Sequence, residues 1–282
     1  MEDSRDIFPH FNEMLKMCRS GIYIGDHYED YILDVYKRHA LWAIPILLFI
    51  LFALVSSEID LFVAQATYYN DWIFRDNEPY GFFSTPFFDF IYLWGVLPAQ
   101  LTFLAATLSL ILSRWVERLK RYRTICLVLS LTLAIGSGFI THTVFKEMWG
   151  RPRPRQIVNF GGNQSFRPFY EPQLGQSPEP SKSFPSGHST CGFYFFCIYF
   201  LGRRLNKPAL AKTGLVISIL LGSALSLARI VQGGHFISDI VTAALIMWLT
   251  AYFVDYLVYE ARFLTRIRKK WCGQNDIAYS SN

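Results

Sequence analysis

Two histidines, three cations and a carboxylate occur at spacings suited to phosphoryl chemistry. His235 and Asp239 are four residues apart at the start of an apolar run. On a helix, positions i and i+4 share a face, so the carboxylate can hold one ring nitrogen and raise the basicity of the other. That arrangement makes an activated histidine nucleophile. His188 ends the run Pro185-Ser186-Gly187-His188, where a second apolar segment begins, and can give or take a proton. A Ser cap and a glycine admitting close backbone approach suit such a helix start to a phosphate oxygen, because its first N–H groups lack intrahelical partners. Lys146, Arg153 and Arg229 place positive charge in the same segments. Each piece has a plain structural reading: Ser186 as an ordinary cap, His188 as an interfacial ring, Arg229 as a snorkelling side chain. Their joint occurrence at three apolar boundaries favours a site. No HExxH, paired Asp cluster or Cys/His ligand spacing appears, so the sequence predicts no metal centre.

Read in order, the pattern is Lys146, six residues, Arg153-Pro154; then Pro185-Ser186-Gly187-His188; then Arg229, five residues, His235, three residues, Asp239. This resembles the three-part signature of the type 2 phosphatidic acid phosphatase (PAP2) superfamily, which includes membrane lipid phosphatases and soluble vanadium haloperoxidases. The third motif usually starts Ser-Arg, whereas this chain has Ala228-Arg229, which removes one hydroxyl and none of the charges. Arg151-Pro152 reads as an imperfect duplicate, because only Arg153 has the right spacing from Lys146.

The resemblance implies a phosphohistidine mechanism. His235, oriented by Asp239, would attack phosphorus, and His188 would protonate the departing oxygen. Lys146, Arg153, Arg229 and the Ser186–Gly187 backbone would neutralise the equatorial oxygens, without Mg²⁺ or another cofactor. It implies a phosphorylated lipid as substrate. The outward loops are similar to those of bacterial lipid A and isoprenyl-lipid phosphatases of the superfamily, and lipid A is the leading expectation. Undecaprenyl pyrophosphate, phosphatidylglycerophosphate and phosphatidic acid stay open, as does transfer of the phosphate to a lipid alcohol. Arg155, Arg167 and Lys182 add cationic capacity that would favour extra negative charge on the substrate, unless they pair with neighbouring carboxylates. A non-catalytic membrane scaffold is the reading from another class, and every catalytic His and Arg of the signature is retained against it.

Elements must hold these residues together, and composition narrows which. Of 282 residues, 52% are hydrophobic, 17% aromatic and 17% charged. Adding the 18 glycines brings the apolar share to roughly 58%, above the ~45–50% of soluble domains. A core of this size could not cover so much apolar surface, so the chain reads as membrane-embedded. The net charge of +5 is too small to suggest nucleic acid. Five cysteines without a CxxC pair, three of them in apolar stretches, predict no disulfide framework.

Six runs approach the roughly 20 residues needed for a membrane-spanning helix: 40–57, 90–112, 124–145, 187–205, 213–228 and 236–258. The expected fold is therefore all-α, an integral membrane bundle of six transmembrane helices over 40–258. It is preceded by a cytoplasmic or interfacial segment, 1–39, and followed by a basic cytoplasmic tail, 259–282. Lys37 and Arg38, Arg114 to Arg123, Arg203 to Lys212, and Arg262 to Lys270 all fall on one side of such a bundle. The positive-inside tendency makes that side cytoplasmic, with both termini. An aromatic loop, 57–89, and a proline-rich phosphate-binding loop, 146–186, lie outside. The active site then faces the outer (periplasmic) boundary of a bacterial inner membrane, with the bilayer and a phosphorylated lipid as partners. Cations on that side break the positional rule, which invites an anion.

Overall fold

The structure is a computed structural model that describes residues 25–69, 81–173 and 181–279, with side chains between 38 and 259. Parts of the predicted outer loops, residues 70–80 and 174–180, lie outside the described residues, as does most of the predicted segment 1–39.

The described elements are helical. In order they are α1 (Gly25–Ala53), α2 (Ser56–Tyr68), α3 (Pro86–Trp94), α4 (Leu97–Leu112), α5 (Arg123–Met148), α6 (Gly187–Phe193), α7 (Phe196–Arg204), α8 (Pro208–Val231) and α9 (Ile237–Tyr279). Among the described residues, four helices are long and apolar enough to cross a membrane: Pro86–Leu112 (α3 with α4), Arg123–Met148, Pro208–Val231 and Ile237–Tyr259. Ile44, Leu47, Leu48 and Leu51 on α1, and Phe90, Leu93, Leu101 and Leu104 on α3 and α4, point outward. Apolar side chains can face outward where hydrocarbon replaces water, provided backbone groups are satisfied within helices.

Two expected spans differ from straight helices. The first ends at Ala53, where the chain turns through 71° into α2, so the predicted outer loop 57–89 is helical over Ser56–Tyr68 and again from Pro86. Ser56 Oγ donates to Ala53 O at 2.9 Å across this corner. The fourth run, 187–205, is broken between α6 and α7. Cys197 N bonds Tyr194 O and Ile198 N bonds Phe195 O, tight i→i+3 turns in place of the α-helical ladder. Tyr194 is fully buried and reaches across to Leu129 O at 3.1 Å, which anchors the break against α5.

Close helix contact depends on small residues. A Cβ on Gly214 of α8 would lie 2.6 Å from Tyr199 N and 2.8 Å from Ile198 C, and one on Gly192 would collide with the backbone at Gly222. Glycines at these points let α6 and α7 lie directly on α8, the usual device where lipid removes the hydrophobic drive between helices. Within α5, residues Leu133–Phe145 have π-helical hydrogen bonding, a feature common near functional sites, and this stretch leads directly to Lys146. The described parts of the following loop, residues 149–173 and 181–186, carry two short 3₁₀ turns and otherwise follow irregular backbone.

Candidate active site

α8 ends in a turn built by its last residues. Gly233 N bonds Ile230 O, Gly234 N bonds Arg229 O at 2.8 Å, and Gly233 has a left-handed φ of +60°. This is a glycine C-cap, which satisfies the last carbonyls and reverses the chain. A Cβ on Gly234 would collide with the Arg229 guanidinium, so the turn needs glycine to bring His235 beside Arg229. The next helix starts at once, and its first turn holds Asp239. The Asp239 carboxylate accepts the N–H of Phe236 at 2.9 Å, the reciprocal half of a capping box.

His235 and Asp239 are both buried, with His235 Nδ1 3.4 Å from Asp239 Oδ2. At this distance Nδ1 makes no hydrogen bond, and catalytic hydrogen bonds are often this loose before substrate binds. Nε2 is then the nitrogen left for a substrate. Burial pushes the His235 imidazole down to about 4, against the upward pull of Asp239, so it is neutral at pH 7. Asp239 is held on both oxygens. Oδ1 accepts from Arg151 Nη1 at 2.5 Å, and Oδ2 accepts from Ser183 Oγ at 2.6 Å.

The Pro185-Ser186-Gly187-His188 run stands across from this pair. Ser186 N donates to Asp239 O at 3.2 Å, and Ser186 Oγ caps α6 by accepting from Ser189. A Cβ on Gly187 would lie 2.7 Å from His142 Nε2 and 3.1 Å from Lys146 Nζ, so glycine allows the end of α5 to approach α6. His188, Arg229, His235 and Lys146 are within Coulombic reach of one another, as are Lys146, Arg153 and Asp239. Nε of Arg153 and Nε of Arg229 are buried without a hydrogen-bond partner. Burial, reinforced by Arg155, lowers the Arg153 pKa, and a guanidinium still remains charged. Among the described residues, no group of three or more His, Cys, Asp or Glu converges as a metal site.

The model of the PAP2 superfamily matches residues 123–263, half of the chain, and spans every one of these positions. Lipid A 4'-phosphatase of Francisella tularensis subsp. novicida is 31% identical over 156 residues, covering 55% of this chain and 68% of the relative. The chain belongs to the PAP2 superfamily. Proteins of the same name from Rhizobium leguminosarum and Rhizobium etli are each 32% identical, covering 43% and 38% of this chain and 47% and 40% of their own lengths. No solved structure matches. As a PAP2 member with apolar spanning helices, the protein is a membrane-embedded phosphatase.

The PAP2 site also contains residues that sequence reading assigned elsewhere or passed over. Arg151, read as a duplicate, is fully buried and bonded to Asp239, Ser238 and Asp60. Asp60, which falls within the predicted outer loop 57–89, is buried in the same network. Tyr92 stacks on His188, and the Arg229 guanidinium lies 4.9 Å from the centroid of that ring. Gln232 accepts from Arg229 Nη1 at 2.7 Å and donates to Ser84 Oγ at 3.0 Å, tying Arg229 to the chain before α3. The three extra cations have different roles. Lys182 is paired with Glu147 at 2.6 Å, Arg167 gives its carbonyl to Arg151, and Arg155 is exposed at the rim with its N–H on Gly233 O. Only an unusual abundance of charge in the 146–186 loop hinted at Arg151, and nothing in the spacing pointed to Tyr92.

Proposed function

We propose that the protein is a metal-independent lipid phosphatase that hydrolyses a phosphate monoester from a lipid head group, with lipid A as the substrate. The supporting observation is the convergence of two histidines, three cations and a carboxylate from four separate segments around the buried His235 ring. His235 Nε2 attacks phosphorus in line while Asp239 receives the charge developing on the ring through Nδ1–H. His188 protonates the departing alkoxide, and water then cleaves the phosphohistidine. Lys146, Arg153, Arg229 and the Ser186–Gly187 backbone bind the equatorial oxygens. Phosphoryl transfer is mostly positioning and charge stabilisation, so fixed cations with unpaired N–H groups can supply what Mg²⁺ supplies elsewhere. The head-group assignment is supported by the lipid A 4'-phosphatases to which the chain is similar.

The same reading has six crossings, counting α1 with α2 and α6 with α7 as broken spans. Both termini are cytoplasmic, and the site opens at the periplasmic boundary of a bacterial inner membrane. Chain direction supports this: Arg123 starts α5 and Lys146 lies near its end, while Lys207 precedes α8 and Arg229 lies near its end. The basic connectors and the phosphate site thus occupy opposite ends of the bundle.

The test is phosphate release by purified protein in detergent from lipid A, undecaprenyl pyrophosphate, phosphatidylglycerophosphate and phosphatidic acid. Lipid A should be hydrolysed fastest, vanadate should inhibit and EDTA should not. His235→Ala should abolish turnover at equal protein level, and full activity in that variant would overturn the mechanism. Radiolabel in a lipid acceptor rather than free phosphate would make the enzyme a transferase.

A further inference from the structure

We infer that Arg151, together with Asp60, is a positioning residue that acts on the nucleophile through Asp239. This rests on the reading of His235 as the nucleophile.

The Arg151 side chain is inaccessible to solvent, and each of its three nitrogens donates a hydrogen bond within the protein. Nε donates to Arg167 O at 2.9 Å, Nη1 to Asp239 Oδ1 at 2.5 Å and Ser238 Oγ at 2.7 Å, and Nη2 to Asp60 Oδ2 at 2.7 Å. Its face lies 4.5 Å from the Phe236 ring centroid. Its three nitrogens are bonded and shut off from solvent, in contrast to Arg153 and Arg229, whose Nε atoms are unpaired. The planar fork of a guanidinium spans two carboxylates at once, which an ammonium cannot do.

Asp60 comes from α2, and its oxygens accept from Ser238 N at 2.8 Å and Ser238 Oγ at 2.5 Å. It therefore clamps the first turn of α9, one residue before Asp239. With Oδ1 fixed by Arg151, the Asp239 carboxylate cannot rotate, and Oδ2 stays on the His235 side. Two carboxylates share one guanidinium, so the cluster carries a net charge of −1. When His235 Nε2 forms its bond to phosphorus, the P–O bond breaks and the His188 proton passes to the leaving oxygen. The ring then carries positive charge, which closes the balance inside a site of low dielectric. The 71° corner between α1 and α2 belongs to the same device, because it aims α2 so that Asp60 reaches the start of α9.

The experiment compares wild type, His235→Ala, Arg151→Lys, Asp60→Asn and the double variant Asp60→Asn/Arg151→Gln as full-length protein in detergent. The readouts are kcat, KM, the inhibition constant of inorganic phosphate and thermal melting. The double variant removes the Asp60–Arg151 pair together, so neither of these two is left buried without the other, and Asp239 keeps Ser183 Oγ and Phe236 N as donors. It should melt cooperatively and lose roughly 100-fold or more in kcat, the scale of an angstrom of misplacement. KM and phosphate inhibition should stay within about threefold. Arg151→Lys and Asp60→Asn should fall between it and wild type, again in kcat alone. A folded double variant with near wild-type kcat would show that the cluster serves stability only. A parallel weakening of phosphate inhibition would make Arg151 a phosphate ligand. Either result overturns the inference. An active His235→Ala overturns the nucleophile itself, so the two failures are distinguishable.

Discussion

The ring of Tyr92 stacks on the imidazole of His188, with centroids 4.4 Å apart and planes within 18° of parallel. Tyr92 lies on α3 and His188 on α6, so an aromatic ring from one helix packs flat on a site histidine from another. The Arg229 guanidinium also lies near that ring, 4.9 Å from its centroid.

Tyr92→Ala should therefore slow the chemical step. A stacked pair contributes about 0.5–1.5 kcal/mol beyond area burial and a cation–π contact about 0.5–2 kcal/mol. Their combined loss corresponds to a fall of roughly 5-fold to a few hundred-fold in single-turnover rate. Tyr92→Phe keeps the ring and should remain near wild type. If Phe is as damaging as Ala, the hydroxyl and not the stack is what matters.

His188 as general acid makes a prediction about leaving groups. His188→Gln should lose about 10²–10⁴-fold on an alkyl phosphate, whose oxygen needs a proton to depart. On an aryl phosphate with an acidic phenol the loss should be far smaller. Equal losses on both substrates, measured as initial rates of phosphate release, would remove His188 from that role.

The neutral state of His235 can be read by NMR of isotope-labelled imidazoles across pH 3.5–8. An ordinary histidine titrates near ~6.5, whereas burial holds this one at about 4. One imidazole absent from a His235→Gln spectrum should stay neutral at pH 5. The folded value lies below the unfolded one, so the unfolded chain binds more protons between the two. Stability is fully present above ~6.5 and declines as pH falls toward 4. Protonation of that signal near 6.5 would contradict the buried, desolvated ring. A spectrum is preferable to a rate profile here, because the second ionisation of a phosphate substrate falls near ~6.

Gly214 tests the packing that carries the site. Leu at this position would drive a side chain into the backbone at Ile198 and Tyr199, which cannot move aside as a side chain would. A cost of about 1–3 kcal/mol follows from overpacking, seen as a melting temperature several degrees lower in detergent. Leu220→Ala on the same helix, at a side chain 66% exposed, should change it little. Equal melting of the two variants would mean that α7 and α8 are not in contact there.

The chemistry was legible in the sequence because its residues come in short, spaced groups. A spacing of four from His235 to Asp239 places the ring just before α9 and the carboxylate in its first turn, a spacing of seven from Lys146 to Arg153 spans the end of α5 and the start of its loop, and Pro185 to His188 is continuous. The apolar runs were legible for a similar reason, since a membrane-spanning helix satisfies its backbone within its own segment. Tertiary structure decided what no local pattern encodes. Arg151 meets Asp60 and Asp239 at sequence separations of 91 and 88, and Tyr92 on α3 meets His188 on α6 with α4 and α5 between them in the chain. A buried guanidinium takes whichever carboxylates folding brings to its edges, so its two neighbours in the chain, Gly150 and Pro152, say nothing of its partners. The breaks in the first and fourth spans follow the same principle. Their sequences are apolar enough to continue as helix, and the distant contacts that turn them, Asp60 on α9 and Tyr194 on Leu129, exist only once the bundle has assembled.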